Sequence, residues 1–323
     1  MKKGIIVFII VVLICILLCG CESTNSNDKI NVVVTIYPEY NWVNELIKGV
    51  EDKYEITWLN DKGIDYHSYS PSIQDMAKVS SSDLFIYIGG ESDGWVEDAI
   101  NSKIKSEDKT INLMKELGDN IYEEEVLEYM EEEESDEIEY DEHIWLSLKN
   151  AIKCCTSITK KLISLDEENA AIYNANLESY TQKLQALDAQ YADAVSKKQK
   201  SCVIVGDRFP FLYMFKDYGI NYYAAFVGCS TESTASVKTI TALIEATVNN
   251  NIEYIAAIDT YEKNSSNVAN TIISECAKNK GYTVKDVIIL DSLQTVSSND
   301  VKTGMTYLGI MEENLKQLKV LLG

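Results

Sequence analysis

Histidine is scarce in this sequence, since only His67 and His143 occur among 323 residues. Two histidines cannot build a three-histidine zinc site or a histidine-rich metal-binding tract. Basic residues are also few, with 29 Lys and Arg against 51 Asp and Glu and a formal net charge of −22. This charge repels nucleic acids and anionic lipid surfaces, which excludes both as expected partners, and it attracts cations.

Cysteine is present eight times, but no Cys-x-x-Cys pair occurs, and this argues against a thiolate metal cluster. The adjacent Cys154 and Cys155 fall in a helical pattern and are interpreted as small core residues. A disulfide between Cys202 and Cys229 would suit an extracellular location, but neither it nor the state of Cys276 can be deduced from the sequence.

The N-terminal residues have the pattern of a targeting segment. Lys2 and Lys3 precede an apolar run over residues 5–18, which is shorter than the roughly 20 residues of a membrane span. Leu-Cys-Gly-Cys then resembles a bacterial lipobox, with Cys21 as the lipidated residue. We expect a lipoprotein signal peptide over residues 1–20 and a tether over 21–29. The mature protein would be lipid-anchored on the extracytoplasmic face of the cell membrane; the alternative is an uncleaved N-terminal anchor.

Short apolar runs alternate with helical patterns along the rest of the chain, which predicts an α/β fold with parallel sheets. A stretch from Asp166 to about Lys197 contains neither Gly nor Pro and predicts one long helix. We expect an N-terminal lobe over 30–165, a linking helix over 166–198 and a C-terminal lobe over 199–323. The predicted strands cover residues 30–36, 54–59, 84–88, 201–205, 222–226, 255–258 and 287–290.

One low-complexity segment, residues 119–142, is strongly acidic. It holds 14 of the 51 acidic residues and no Lys or Arg. The simpler interpretation is a mobile, solvated loop. The alternative, favoured by its position just before His143, is a weak collector of cations beside a metal site.

Both histidines lie in similar local sequences at predicted helix starts. Asp65-Tyr66-His67-Ser68-Tyr69 and Asp141-Glu142-His143-Ile144-Trp145 each place an acid two residues before the histidine and an aromatic residue two residues after it. Imidazole is the commonest side-chain ligand of zinc and similar metals, and a nearby carboxylate can fix its tautomer. For either histidine considered alone, the alternative to a metal ligand is an ordinary hydrogen-bonded side chain. The pairing favours a metal site.

These segments resemble those of the substrate-binding lipoproteins of zinc and manganese ABC importers, the cluster A-I or family 9 solute-binding proteins. DYHSYSPSIQDMAKVSSSDLFIYIGG resembles the family's first histidine segment, DEHIWLSLKNA its second, and SLDEENAAIYNANLESYTQKLQALD the start of its backbone helix. The resemblance runs from about residue 30 to the C-terminus. It implies two lobes with a metal ion bound in the cleft between them.

The resemblance also implies the remaining ligands. The family's third ligand, a His or Glu, corresponds to Arg208 when counted back from Tyr218-Gly219, and to Asp207 after a shift of one residue. Because arginine cannot bind a cation, Asp207 is the predicted ligand; alternatively it pairs with Arg208 or caps the next helix. Asp291 corresponds to the fourth ligand. Glu232 matches a family glutamate near the cleft, for which ordering a loop is a better role than ligation.

Two departures from the family pattern are evident. The proline that follows the acid in both histidine segments is replaced by Tyr66 and Glu142, and the acidic segment stands where many zinc-specific members carry a histidine-rich loop. The expected set of two imidazoles and two carboxylates suits zinc, and the Irving–Williams order places zinc above manganese.

The resulting prediction is a binding protein, not an enzyme, that captures zinc, or next manganese, and delivers it to an ABC permease. A surface metallohydrolase could use the same ligands, but no HExxH or nucleophile motif occurs. An adhesion or scaffold protein with a structural metal is the other alternative.

Overall fold

The computed structural model describes residues 29–96, 107–130, 138–230, 234–260 and 267–323. The predicted signal peptide, the lipidation site Cys21 and Glu232 lie outside the described residues. Within these ranges no helix combines the length and the apolar composition needed to cross a bilayer.

The first sheet contains four parallel strands in the order β2-β1-β3-β4. They are β1 (Ile30–Val34), β2 (Tyr54–Trp58), β3 (Leu84–Tyr87) and β4 (Thr110–Asn112). The centre of the sheet is fully buried, which explains the uninterrupted apolar sequence of β1 and β3. The helices of this region are α1 (Tyr37–Leu46), α2 (Ile73–Ser81), α3 (Leu113–Leu117) and α4 (Leu148–Leu165).

The second sheet repeats this arrangement, with four parallel strands in the order β6-β5-β7-β8. They are β5 (Val203–Phe209), β6 (Tyr222–Val227), β7 (Tyr254–Ile258) and β8 (Asp286–Leu290). Its helices are α6 (Leu212–Tyr218), α7 (Val237–Asn249), α8 (Val268–Lys280), α9 (Ser298–Lys302) and α10 (Tyr307–Leu322). In both sheets the order reverses beside the first strand, and α/β proteins bind ligands at the carboxyl ends of such strands.

A long helix, α5 (Ala170–Ser196), separates the two sheets in sequence. Its 27 residues span about 40 Å at 1.5 Å per residue. A short 3₁₀ turn, Glu167–Asn169, precedes it, so the regular helix begins later than predicted. The predicted α/β fold with two parallel sheets and a long helix is confirmed; the limits of the domains stay a prediction.

The two lobes share one apolar core in which aromatic residues join them. The Trp145 indole Nε1 donates a hydrogen bond of 2.8 Å to the carbonyl of Ser292, which follows β8. Tyr307, in α10, donates its hydroxyl to the carbonyl of Trp145 at 2.5 Å. Both rings are fully buried. The second histidine segment is therefore held from the C-terminal lobe by two buried hydrogen bonds.

The described part of the acidic segment packs across both lobes. Tyr129 donates to the carbonyl of Ala224 in β6 and accepts from its amide. Glu125 accepts from Tyr222 at 2.8 Å and pairs with Lys216. Asp141 and Glu142 are each only 1% exposed. The interpretation of a mobile, solvated loop is therefore wrong for Tyr129, Asp141 and Glu142, whereas Glu123, Glu128 and Glu139 are exposed to solvent.

Asn314 of α10 fixes the chain where it leaves β8. Its side chain accepts from the amide of Asp291 at 2.7 Å and donates to the carbonyl of Asp291 at 2.8 Å. Replacing Asn314 by Ala leaves both groups without a partner, and we expect it to lower the free energy of unfolding by about 1–3 kcal/mol in urea denaturation. Glu312→Ala, at an exposed position of the same helix, should change it by less than about 0.5 kcal/mol. Equal effects would contradict this role.

Candidate metal centre

His67 lies in a 3₁₀ turn, Tyr66–Ser68, between β2 and α2. Its Nδ1 is 2.8 Å from the Ser92 hydroxyl, which donates to Glu142 Oε2 at 2.5 Å. Since the hydroxyl proton goes to the carboxylate, Ser92 accepts from Nδ1–H, and the lone pair of His67 is on Nε2. Burial works against the ionised form of Glu142, but hydrogen bonds from His67 and Ser92 outweigh it and lower the pKa of Glu142.

His143 is oriented in the same way by its own motif. Its Nδ1 is 3.1 Å from Asp141 Oδ1, which also accepts from the His143 amide at 2.8 Å. The ring is fully buried and lies against Trp145, with ring centroids 5.1 Å apart. Burial, reinforced by the nearby His67, lowers the pKa of His143 well below its usual value. The imidazole is therefore neutral, and its Nε2 carries a free lone pair. Burial also raises the pKa of Asp141 to about 8.

The two Nε2 atoms meet at 3.0 Å. Around a tetrahedral zinc ion two imidazole nitrogens lie about 3.3 Å apart, so this separation is close to that of a shared metal. Gln294, which is 3% exposed, places its Nε2 2.5 Å from His143 Nε2, while its Oε1 has no hydrogen-bond partner. Two acceptor nitrogens aimed at one point form the cation-binding geometry predicted from the sequence.

Cys229 brings a third donor from the second lobe. The Cys229 sulfur and one ring nitrogen each of His67 and His143 all lie within 4.8 Å of one another. In the ranges that the structure describes, this is the single group of three or more His, Cys, Asp or Glu residues at such distances. Cys202 and Cys229 are both free thiols, so the disulfide considered from the sequence is not formed here.

Arg208 occupies the position that matches the family's third ligand. Its guanidinium pairs with Asp65 Oδ2 at 2.5 Å and joins the two lobes. Asp207, beside it at the end of β5, accepts from the Arg208 amide at 2.9 Å and lies 3.5 Å from the Ile258 amide. Burial raises the pKa of Asp207 above its usual value. The structure does not bring Asp207 into the group around the histidines, and its ligation stays a prediction.

Asp291 lies directly after β8, at the edge of the sheet where it was expected. Its Oδ1 accepts from the amide of Leu293, a non-glycine residue with φ of 60°. Burial, together with the nearby Asp259, raises the pKa of Asp291 to about 7. Like Asp207, Asp291 is not part of the group around the histidines, so its role as a ligand also stays a prediction.

Sequence reasoning did not single out Ser92, Gln294 or Cys229 for the site. Each follows a strand: Ser92 comes five residues after β3, Gln294 four after β8 and Cys229 two after β6. Their position at the carboxyl ends of predicted strands was the available signal. The sequence also offered a signal for Arg208, because it is the only arginine in the chain.

The Ser92 hydroxyl connects His67 to a carboxylate and so sets the tautomer that can bind metal. Replacing Ser92 by Ala removes this connection, and we expect about tenfold weaker zinc binding in a competition titration, since such outer partners typically contribute 10- to 100-fold. Ser81→Ala, at an exposed helix end, is the matched control and should bind as the wild type does. Unchanged affinity of the Ser92 variant would show that His67 needs no such partner.

Together, the two parallel sheets, the long helix and the convergent nitrogens define a two-lobed solute-binding protein with a metal site between its lobes. The family model for "Zinc-uptake complex component A periplasmic" (ZnuA) matches residues 32–320. The chain belongs to this family. Its members are uptake components, which confirms the prediction that the protein is not an enzyme.

Two curated relatives illustrate the similarity. The zinc-binding lipoprotein AdcA of Streptococcus pneumoniae serotype 4 is 32% identical over 326 residues, covering 99% of this chain and 61% of that protein. The high-affinity zinc uptake system protein ZnuA of Bacillus subtilis is 30% identical over 315 residues, covering 93% of this chain and 92% of that protein. The chain thus spans about three-fifths of the first relative's length.

Solved structures agree in fold. The Zn(II)-bound ZnuA-like domain of Streptococcus pneumoniae AdcA is 27% identical, with a TM-score of 0.67 over 91% of this chain and 99% of that domain. A mutant structure of the laminin-binding adhesin Lmb of Streptococcus agalactiae has a TM-score of 0.72 over 91% of this chain and 100% of that chain, at 20% identity. At that identity the likeness concerns the fold alone.

Proposed function

We propose that the protein captures a zinc ion outside the cytoplasm and delivers it to the membrane permease of an ABC importer. The observation that carries this proposal is the 3.0 Å approach of the two imidazole Nε2 atoms, each ring being oriented by a hydrogen bond at its Nδ1. Relatives named as a zinc-binding lipoprotein and as a zinc uptake system protein support zinc as the cargo. Manganese is the second candidate metal.

His67 and His143 are the proposed ligands from the first lobe, and the second lobe supplies the rest. Asp207 and Asp291 are the carboxylates proposed from the family resemblance, and Glu232 is proposed to order a loop beside them. A metal bound from both lobes stabilises one arrangement of the cleft, which the permease can distinguish from the empty protein. We further propose that Cys21 carries a lipid that holds the protein at the cell membrane.

Competition titration of the purified protein with zinc and manganese tests the proposal. We expect one zinc per chain, bound more tightly than manganese, released to a strong chelator without unfolding. Metal that resists strong chelators, with loss of the fold on its removal, would instead indicate a structural metal in an adhesion or scaffold protein. Asp207→Asn and Asp291→Asn in the same titration identify any carboxylate ligand. Reduced zinc accumulation in cells that lack the protein tests its place in import.

A further inference from the structure

The cleft contains a sulfur donor that neither the sequence motifs nor the family resemblance assigned to the site. Cys229 follows β6 in a tight turn after Gly228. A Cβ at Gly228 would lie 3.0 Å from Asp141 Oδ2 and 3.1 Å from His143 Cε1. Only a glycine therefore lets this turn come so close to the ring of His143, and the turn brings the Cys229 sulfur to the histidine nitrogens.

The position of Cys229 is fixed by its backbone, and its thiol is not part of a disulfide. The Cys229 amide donates to Glu124 Oε1 at 2.8 Å, which ties the turn to the acidic segment. The side chain is partly exposed, whereas the other four described cysteines are buried. It lines a cavity of about 210 Å³ together with His67, Glu124 and Glu142. One water molecule occupies about 30 Å³ in the liquid, which is much less than the volume of this cavity. An ion and its bound water therefore have room to enter.

A second observation at the same place points to a missing ligand. Gln294 is 3% exposed and directs its amide at His143 Nε2, yet its Oε1 has no partner. Buried polar atoms are nearly always paired, so an orphan oxygen on a side chain whose amide nitrogen contacts His143 Nε2 points to a ligand at this place. Cys229 is thus one of several donors around a shared point.

We propose that Cys229 is the third protein ligand of the metal held by His67 and His143, so that the cargo sits in a His₂Cys site bridging both lobes. This inference rests on the proposed function and deepens it. On binding, the Cys229 thiol gives its proton to solvent and a sulfur–metal bond forms. Thiolate is a soft ligand that zinc, cobalt and copper(I) accept well, whereas manganese prefers oxygen. The sulfur therefore selects zinc against manganese.

Cobalt(II) bound to the wild-type protein tests this directly, because a thiolate ligand gives an intense sulfur-to-cobalt absorption band in the near ultraviolet. We expect the band in the wild type and in the control Cys202→Ala, and its absence in Cys229→Ser. Zinc should bind at least tenfold more weakly to Cys229→Ser, while manganese affinity changes less than threefold, so that selectivity between the two metals falls.

The outcomes separate this inference from the proposed function. Stoichiometric cobalt binding without the sulfur band in the wild type would overturn Cys229 as a ligand and leave the metal-binding function intact. Failure of the wild type to bind zinc, cobalt or manganese would overturn both. Since the cobalt spectrum is read on the wild type itself, it remains decisive even if Cys229→Ser fails to fold.

Discussion

Replacing His143 by Ala is expected to weaken zinc binding about 1,000-fold, or about 4 kcal/mol. Zinc binding to four protein ligands is worth about 10–16 kcal/mol, so one ligand accounts for about 3 kcal/mol. The remainder, about 1 kcal/mol, reflects Asp141 and Gln294, which contact the two ring nitrogens of His143 and lose this partner in the variant. Competition with a chromophoric chelator at neutral pH measures the change.

The His143 variant needs a control for folding, because the ring is fully buried against Trp145. His143→Gln keeps most of the volume and should lose a similar amount of affinity, while the metal-free form unfolds near the wild-type urea midpoint. His67→Ala should weaken binding to a comparable degree, since the two nitrogens face the same point. Zinc content equal to the wild type after dialysis would contradict the assignment of both histidines.

The fold could be predicted from the sequence where burial alone determines the pattern. The runs that became β1, β3 and β7 are mainly apolar, because helices cover both faces of a parallel sheet. β4 was missed because Thr110–Asn112 is only three residues long. β5 extends four residues beyond its predicted end, since Gly206, Asp207 and Arg208 are polar or small. Gly206 is small because a Cβ there would lie 2.6 Å from the Cα of Ala269 in α8, and Arg208 is charged because it pairs with Asp65.

The candidate site could be predicted only in part, for a physical reason. His67 and His143 carry local motifs in which the preceding acid accepts from the histidine's backbone amide, and Asp141 also holds the His143 ring, so short-range sequence describes them. Cys229 and Gln294 reach the site by tertiary packing and have no such local pattern. Glu142 stands where the family pattern has a proline. In the structure Glu142 instead anchors Ser92 and, through it, His67.

Replacing Arg208 by His is expected to tighten zinc binding about 100-fold. Arg208 matches the family's third-ligand position, and its charge is one of the causes that lower the pKa of His143. The substitution removes a positive charge that opposes a dication, which we expect to tighten binding about tenfold, and adds an imidazole that tightens it about tenfold more where it replaces a bound water. Competition titration of the metal-free protein measures the gain.

Arg208→Gln separates the two contributions, because it removes the charge without adding a ligand. We expect it to tighten binding about tenfold, as Asp65 loses its partner and faces the site unpaired. If Arg208→His binds zinc no better than Arg208→Gln, residue 208 is too far from the metal to act as a ligand. Both variants lose the ion pair between the lobes, so we expect the free energy of unfolding of the metal-free protein to fall by a similar amount in each.

The Arg208 variants also bear on why the chain retains a cation beside its metal site. Affinity differences among variants of one site arise mostly in the dissociation rate. Arg208→His should therefore release zinc to excess chelator about 100-fold more slowly in a stopped-flow measurement. Under the proposed function the protein must give up its cargo, and we expect the positive charge of Arg208 to keep binding weak enough for transfer. A wild-type dissociation rate equal to that of Arg208→His would contradict this role.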